Sequence, residues 1–303
     1  MEVKNLAKII NHQEIISDIN FTLNRGEIVG LVGRNGTGKT TLFRTIANHY
    51  QEDSGEVIIN GTSLKKECLN YEEIFYLDNQ YNFLANLTVN RIASYYKKLY
   101  LGFDSEKFFG LIKKHRLPEQ VVFKRLSKGM KGLLMIILAI SSGANYLLLD
   151  EPFDGLDVLI KKQAIQLVLN EVSLNQRPIL ISSHNLVELE QLIDRVLFLK
   201  DQTITKEYHL EELRSEAVKL QLVFKENTLP KLVRDHAKVI DVQGRVIVGI
   251  FNPYSPELDK ELRALRPIVM EKLPVLLEDL FRADLADEEI FISDDDFIRG
   301  NQV

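Results

Sequence analysis

Apolar positions along this chain come in short uninterrupted blocks. "GEIVGLVG" at 26–33, "YLLLD" at 146–150 and "PILISS" at 178–183 are three of them. A strand with one wet face would alternate, so these blocks predict parallel strands covered on both faces. Stretches with helical spacing lie between them: "TLFRTIANHY" directly after the first block, then 88–117, which mixes charge with many aromatics. "SGEVIINGTSL" at 54–64 predicts a strand, a tight turn at Asn60-Gly61 and a sheet edge. The first 210 residues therefore predict an α/β domain.

The longest apolar stretch poses a separate question. Eighteen residues between Lys131 and Asp150 carry no charge, close to the length that spans a bilayer. Ser141, Ser142, Gly143, Ala144 and Asn145 interrupt the stretch. The interruption predicts a helix of about ten residues followed by a short strand, both buried.

Beyond residue 210 the pattern changes. "AVKLQLVF" at 217–224 predicts a strand, "LPKLVRDH" a short helix, and "KVIDVQGRVIVGIF" a hairpin turning at Gln243-Gly244. "SPELDKELRAL" predicts a helix capped by Ser255 with Pro256 in its first turn, "IVME" another strand and "LLEDLFRADL" a last helix. That order is βαββαβ plus a helix, a small α+β ferredoxin-like domain. The predicted boundaries are 1–210, 211–285 for the small domain, and an acidic tail at 286–303. The last twenty residues hold seven acidic side chains and one basic one, as in a solvated tail.

Composition narrows the classes. With 303 residues, 45% hydrophobic and 27% charged, the chain is long enough for a sizeable core. Its formal net charge of −5 argues against nucleic acid as a partner. A single cysteine, Cys68, allows no disulfide within the chain and fits a reducing compartment. "MEVKNLAKII" is too frequently charged for a secretory leader, so none is expected. His12, His49, His115, His209 and His236 show no metal-ligand spacing.

The chemistry concentrates in two motifs. "GRNGTGKT", Gly33 to Thr40, is a complete GxxxxGK[ST] sequence between a predicted strand and a predicted helix. In that context glycines let successive backbone N–H groups face phosphate oxygens, and the helix start adds positive potential. Lys39 then reaches the β and γ phosphates, and the Thr40 hydroxyl reaches Mg²⁺. The second motif is the apolar strand ending in Asp150 and Glu151. An aspartate there can reach a Mg²⁺ held by the first motif, and the next carboxylate can orient and deprotonate a water aimed at the γ-phosphate.

Taken with "LSKGM", "LLLDEP", "FDGLD" and "ISSH" in that order, the first 210 residues resemble an ABC-type ATPase, the nucleotide-binding subunit of an ATP-driven transporter. The resemblance implies a mostly parallel core sheet, an antiparallel subdomain and a helical subdomain at about 85–140. It implies ATP held by Gly33, Arg34, Asn35, Gly36, Thr37, Gly38, Lys39, Thr40 and Thr41, with Mg²⁺ on Thr40 and Asp150. Ser127, Lys128 and Gly129 of the signature would meet ATP bound to an opposite subunit, and Asp157 would belong to the D-loop across that interface. Glu151 would be the base and His184 would hold it and the water in place. The glutamine loop should fall in "YLDNQYNFLANLTV", where either Asn79 or Gln80 would ligand Mg²⁺ or orient water.

The aromatic on which the family stacks adenine is missing, because its position falls near Ile10 and no aromatic precedes Phe21. Adenine would then rest on aliphatic side chains or His12, with weak discrimination between ATP and GTP. "LSKGMKG" and the C-terminal domain further resemble the ATPases of ABC-2 type exporters of peptide antibiotics, toxins and drugs. The partners so implied are a second ATPase subunit, identical or different, and a separate membrane permease docked near 79–100. The chain would sit at the cytoplasmic face of the cell membrane. The competing reading is an ABC ATPase acting on DNA or ribosomes. DNA-repair members need a long coiled-coil insertion, and only 86 residues separate Thr40 from Ser127. Ribosome-acting members usually carry two cassettes.

Overall fold

The computed structural model describes residues 1–64, 70–78, 82–211, 217–279 and 282. The chain forms two compact units, Met1–His209 and Leu210–Val303.

The first unit is built on two sheets. Strands β1 (Glu2–Ile10), β2 (Gln13–Thr22), β4 (Ser54–Ile59) and β5 (Thr62–Ser63) form an antiparallel sheet in the order β2-β1-β4-β5. Asn60 (φ 50°) and Gly61 (φ 80°) join β4 to β5, two positive-φ positions of the kind that suit a right-twisted hairpin. The second sheet runs β10-β9-β3-β8-β7-β6, with β3 (Ile28–Val32), β6 (Ile74–Leu77), β7 (Tyr146–Asp150), β8 (Ile179–Ser182), β9 (Arg195–Lys200) and β10 (Thr203–His209). All its neighbours pair in parallel except the β9–β10 edge. Every residue of β3, β7 and β8 is buried, which is why these segments read as unbroken apolar blocks. Leu31, Leu148, Leu180 and Leu197 from this sheet share one core with Leu6, Ile16 and Ile19 of the other.

Helix α1 (Lys39–Ile46) follows β3. It stops short of the predicted 50, because Asn48 turns at φ 57° and His49 and Tyr50 donate their N–H groups to the Arg44 carbonyl. The predicted helical stretch 88–117 is two helices, α2 (Val89–Leu99) capped by Thr88 and α3 (Ser105–Lys114) capped by Asp104. The break has a tertiary cause. A side chain on Gly143 would lie 2.3 Å from the Gly102 carbonyl oxygen, so the two backbones cross where position 143 admits only glycine.

The uncharged stretch is helix α4 (Lys128–Ser141), a turn with Gly143 at φ 80°, and β7. Leu133 to Ser141 are buried without interruption. Among the described residues no helix is long and apolar enough to cross a membrane. Helices α5 (Val158–Asn175) and α6 (Leu186–Glu190) complete the unit.

The second unit holds an antiparallel sheet ordered β12-β13-β11-β14, from β11 (Val218–Val223), β12 (Ala237–Gln243), β13 (Val246–Phe251) and β14 (Val269–Leu273). Helix α7 (Lys231–His236) joins β11 to β12 and α8 (Pro256–Ala264) joins β13 to β14, so each crossover skips one strand, the split βαβ arrangement. The hairpin turns at Gly244-Arg245, one residue later than the sequence pattern suggested: Gln243 pairs with Val246, and Gly244 takes the positive φ of 62°. Half of the predicted last helix and all of the acidic tail lie outside the described residues.

Candidate functional site

The loop from Gly33 to Gly38 connects the carboxyl end of β3 to α1. Gly33 must be glycine, since a Cβ there would lie 2.5 Å from the Leu199 carbonyl oxygen. Gly38 is the N-cap at φ 102° and makes no side-chain cap bond, leaving the first-turn N–H groups to face an anion. The Lys39 ammonium is buried and donates to the Gly33 carbonyl at 2.7 Å and that of Arg34 at 3.2 Å, which folds the loop around it. Burial holds Lys39 below the ordinary lysine value, against the opposing pull of Glu151 and Asp150.

Parallel pairing brings the acids in from neighbouring strands. Asp150 ends β7, paired in register with Ser182 at the end of β8. The Thr40 hydroxyl donates to Asp150 Oδ2 at 2.7 Å, and the Ser182 hydroxyl donates to Asp150 Oδ1 at 2.6 Å. Ser182 Oγ in turn accepts the Glu151 N–H at 3.0 Å. Glu151 sits at φ 50°, a left-handed conformation that costs a residue with a side chain roughly 1–2 kcal/mol. Its Oε2 accepts the His184 N–H at 3.2 Å and lies 2.8 Å from His184 Nδ1. Thr40, Asp150, Ser182, Glu151 and His184 thus form one continuous hydrogen-bonded chain beside the start of α1.

Ser182 is the member that sequence reasoning passed over. Its available signal was a small hydroxyl at the carboxyl end of a buried strand, two residues before the motif histidine His184, in the same arrangement of strands that delivers Asp150. The two oxygen donors Thr40 and Asp150, already in contact, suit Mg²⁺, which takes a few protein oxygens together with phosphate oxygens. Among the described residues no group of three or more His, Cys, Asp or Glu side chains is placed to hold a metal by itself. Asn79 and Gln80 lie outside the described residues.

Ser127 caps α4, its hydroxyl accepting the Met130 N–H at 3.2 Å. The start of α4 packs on the segment 154–160 of the same chain. A Cβ on Gly129 would lie 2.6 Å from Ile160 Cδ1, and one on Gly132 would lie 2.7 Å from Leu156 Cδ2. The small residue at 132 therefore makes room for Leu156. Asp157 caps α5 by accepting the N–H groups of Leu159 and Ile160, both at 3.0 Å.

On the hairpin side, β1 and β2 are out of step between Lys8 and Ile9, where Lys8 pairs with Ile16 and Ile9 with Glu14. This bulge aims Ile15 and Ile16 at Gly38, whose Cβ would lie 3.2 Å and 3.0 Å from their Cγ2 atoms. Of the two, Ile15 is half-buried and Ile16 is wholly buried, so Ile15 is the one with surface to offer beside the loop.

A groove of 510 Å³ opens between α1 and α2, lined among others by Arg44, Tyr50, Phe83, Tyr95 and Leu99. Arg44 and Asp78 pair within it at 2.7 Å. Phe83 is 60% exposed, yet it packs beside Tyr95 with ring centroids 6.2 Å apart.

With this geometry in place, comparison with known proteins gives a consistent answer. The family model described as ABC transporter matches residues 16–154. The ABC transporter ATP-binding protein YtrB of Bacillus subtilis (strain 168) is 33% identical over 284 residues, covering 93% of this chain and 97% of that protein. The bacitracin transport ATP-binding protein BcrA of Enterococcus faecalis is 32% identical over 218 residues, 70% of each chain. Among solved structures, one described as the ATP binding subunit of an ABC transporter superposes with a TM-score of 0.65 at 26% identity, covering 71% of this chain and 91% of that one.

Proposed function

Because the chain belongs to the ATP-binding proteins of ABC transporters, an ATP-hydrolysing family, we propose that it powers export of a peptide antibiotic, toxin or drug through a separate membrane subunit. The observation that carries the catalytic part is the continuous chain Thr40–Asp150–Ser182–Glu151–His184 beside the uncapped start of α1. ATP lies with its phosphates on the N–H groups of residues 33–41 and on Lys39. Thr40 and Asp150 would hold Mg²⁺, which would neutralise phosphate charge. Glu151 takes a proton from a water as its oxygen bonds to the γ-phosphorus and the bond to the bridging oxygen of ADP breaks. His184 fixes the rotamer of Glu151.

The active form is a head-to-tail dimer with each ATP between one subunit's loop and the other's Ser127, Lys128 and Gly129. The groove beside Arg44 and Tyr95 receives a helical segment of the membrane subunit. Support for export comes from the "LSKGMKG" sequence and from the ferredoxin-like second unit. Transport in membrane vesicles sets its direction: ATP-dependent loss of drug or peptide from the cytoplasmic side is expected, and uptake toward that side would sink the export reading. Glu151→Gln tests the chemistry. It should abolish phosphate release while keeping nucleotide binding and accumulating an ATP-bound dimer; undiminished turnover would remove Glu151 as the base.

A further inference from the structure

Lys128 is the first residue of α4, where an ammonium faces the positive end of a helix, and no acid occupies that first turn. Its charge is met from elsewhere in the chain. Lys128 Nζ donates to Asp154 Oδ2 at 2.9 Å, and the side chain lies so flat on Gly155 that a Cβ there would come within 2.0 Å of the ammonium. Gly155 has φ 65°, a second reason for glycine at that point. The ion pair joins two functional segments of one chain. Asp154 donates its N–H to the Glu151 carbonyl at 3.2 Å, so its backbone is tied to the proposed base, whereas Lys128 stands at the end of α4 that the proposed head-to-tail dimer turns toward a partner's ATP.

We infer that Asp154 is an internal stand-in for the partner's γ-phosphate, occupying Lys128 until ATP arrives across the dimer and takes the lysine from it. The pair is built to be exchanged. The two side chains remain 65% and 47% exposed, so separating them costs little. A γ-phosphate offers three acceptor oxygens and more charge than one carboxylate. Gly155 lets Asp154 move while Asp157, anchored to the start of α5, stays in place. The exchange therefore reports ATP at one site to the segment three residues from Glu151 of the other. This inference rests on the head-to-tail reading above and makes Asp154 a positioning residue.

The test uses the full chain in a Glu151→Gln background and reads the ATP concentration that gives half-maximal dimer, by sedimentation at fixed protein concentration. Removing the competitor with Asp154→Asn should lower that concentration about 2- to 5-fold, the range expected for an exposed ion pair. Lys128→Ala should raise it by at least as much, and Lys128→Arg should leave it near the starting value. A brace that merely stiffened the monomer would instead shift both members of the pair in the same direction. Shifts of one sign, or no shift in either, overturn the stand-in while leaving the dimer intact. No dimer at any ATP concentration overturns the head-to-tail reading and this inference with it. Thermal melts and ATP binding by the monomer check folding, and Asp154→Ser replaces Asp154→Asn if that variant does not melt cooperatively.

Discussion

Replacing Ser182 by alanine removes one buried oxygen that does two things. It donates to Asp150 at 2.6 Å and accepts the Glu151 N–H at 3.0 Å, with Ser182 itself wholly inaccessible to solvent. A hydrogen bond to a charged group contributes about 1.5–3 kcal/mol, and an orphaned buried N–H costs about 1–3 kcal/mol. Asp150 keeps Thr40 and Glu151 can shift, so the two do not simply add. A loss of about 2 kcal/mol is expected, which in a chain of this size lowers Tm by roughly 4–8 °C. The kinetic effect should be more specific. Glu151 is held in a costly left-handed backbone, and without the Ser182 contact it relaxes away from the water. A drop in kcat of about 10- to 100-fold, about 1.4–2.7 kcal/mol of barrier, is expected. KM for ATP should change little, because Lys39 and the first turn of α1 are untouched. Steady-state phosphate release against ATP concentration, alongside a thermal melt, measures both. Unchanged kcat, or a loss confined to KM, would refute the reasoning.

Three further outcomes follow from other parts of the molecule. Glu171, 3% exposed, pairs with Lys107 at 2.6 Å and Arg177 at 3.1 Å, so Glu171→Ala strands two cations and should cost about 3–5 kcal/mol in urea unfolding. Burial lowers the His49 imidazole below its ordinary 6.5, so the unfolded chain binds the proton more readily than the folded one. Stability should therefore fall as pH drops below about 6.5 and level off once the folded group is protonated, and His49→Gln should flatten that part of a Tm-versus-pH curve. ATP and GTP should be hydrolysed with kcat/KM values within about tenfold of each other, because Ile15 is the half-buried side chain beside Gly38 and no Phe, Tyr or Trp precedes Phe21 to stack on adenine. A strong preference for ATP in a direct competition assay would contradict this.

What the sequence disclosed depended on how local the cause was. The glycine spacing at 33–38, the Asn60-Gly61 turn and the Ser255 cap with Pro256 behind it each rest on a few adjacent residues and were readable at once. The uncharged stretch also parsed, because the break at Ser141–Asn145 is chemically unlike its flanks. The division of 88–117 at Gly102 was hidden, since its partner Gly143 lies 41 residues on. Ser182 was hidden for the same reason: its importance comes from standing opposite Asp150 in a neighbouring strand. The use of Gly132 was hidden in the same way, since Leu156, which takes the space above it, comes from the segment after β7.

The backbone at Glu151 has a consequence for how this chain diverges. At φ 50° glycine or asparagine would be more comfortable than glutamate, so the position trades stability for its carboxylate. A lineage relieved of the need for turnover gains by losing this side chain, and drift there should run toward those two residues ahead of most surface sites. With Glu151 as the proposed base, the letter at 151 becomes a fossil indicator: descendants that keep glutamate there should hydrolyse ATP, and those with glycine or asparagine should bind it without turnover.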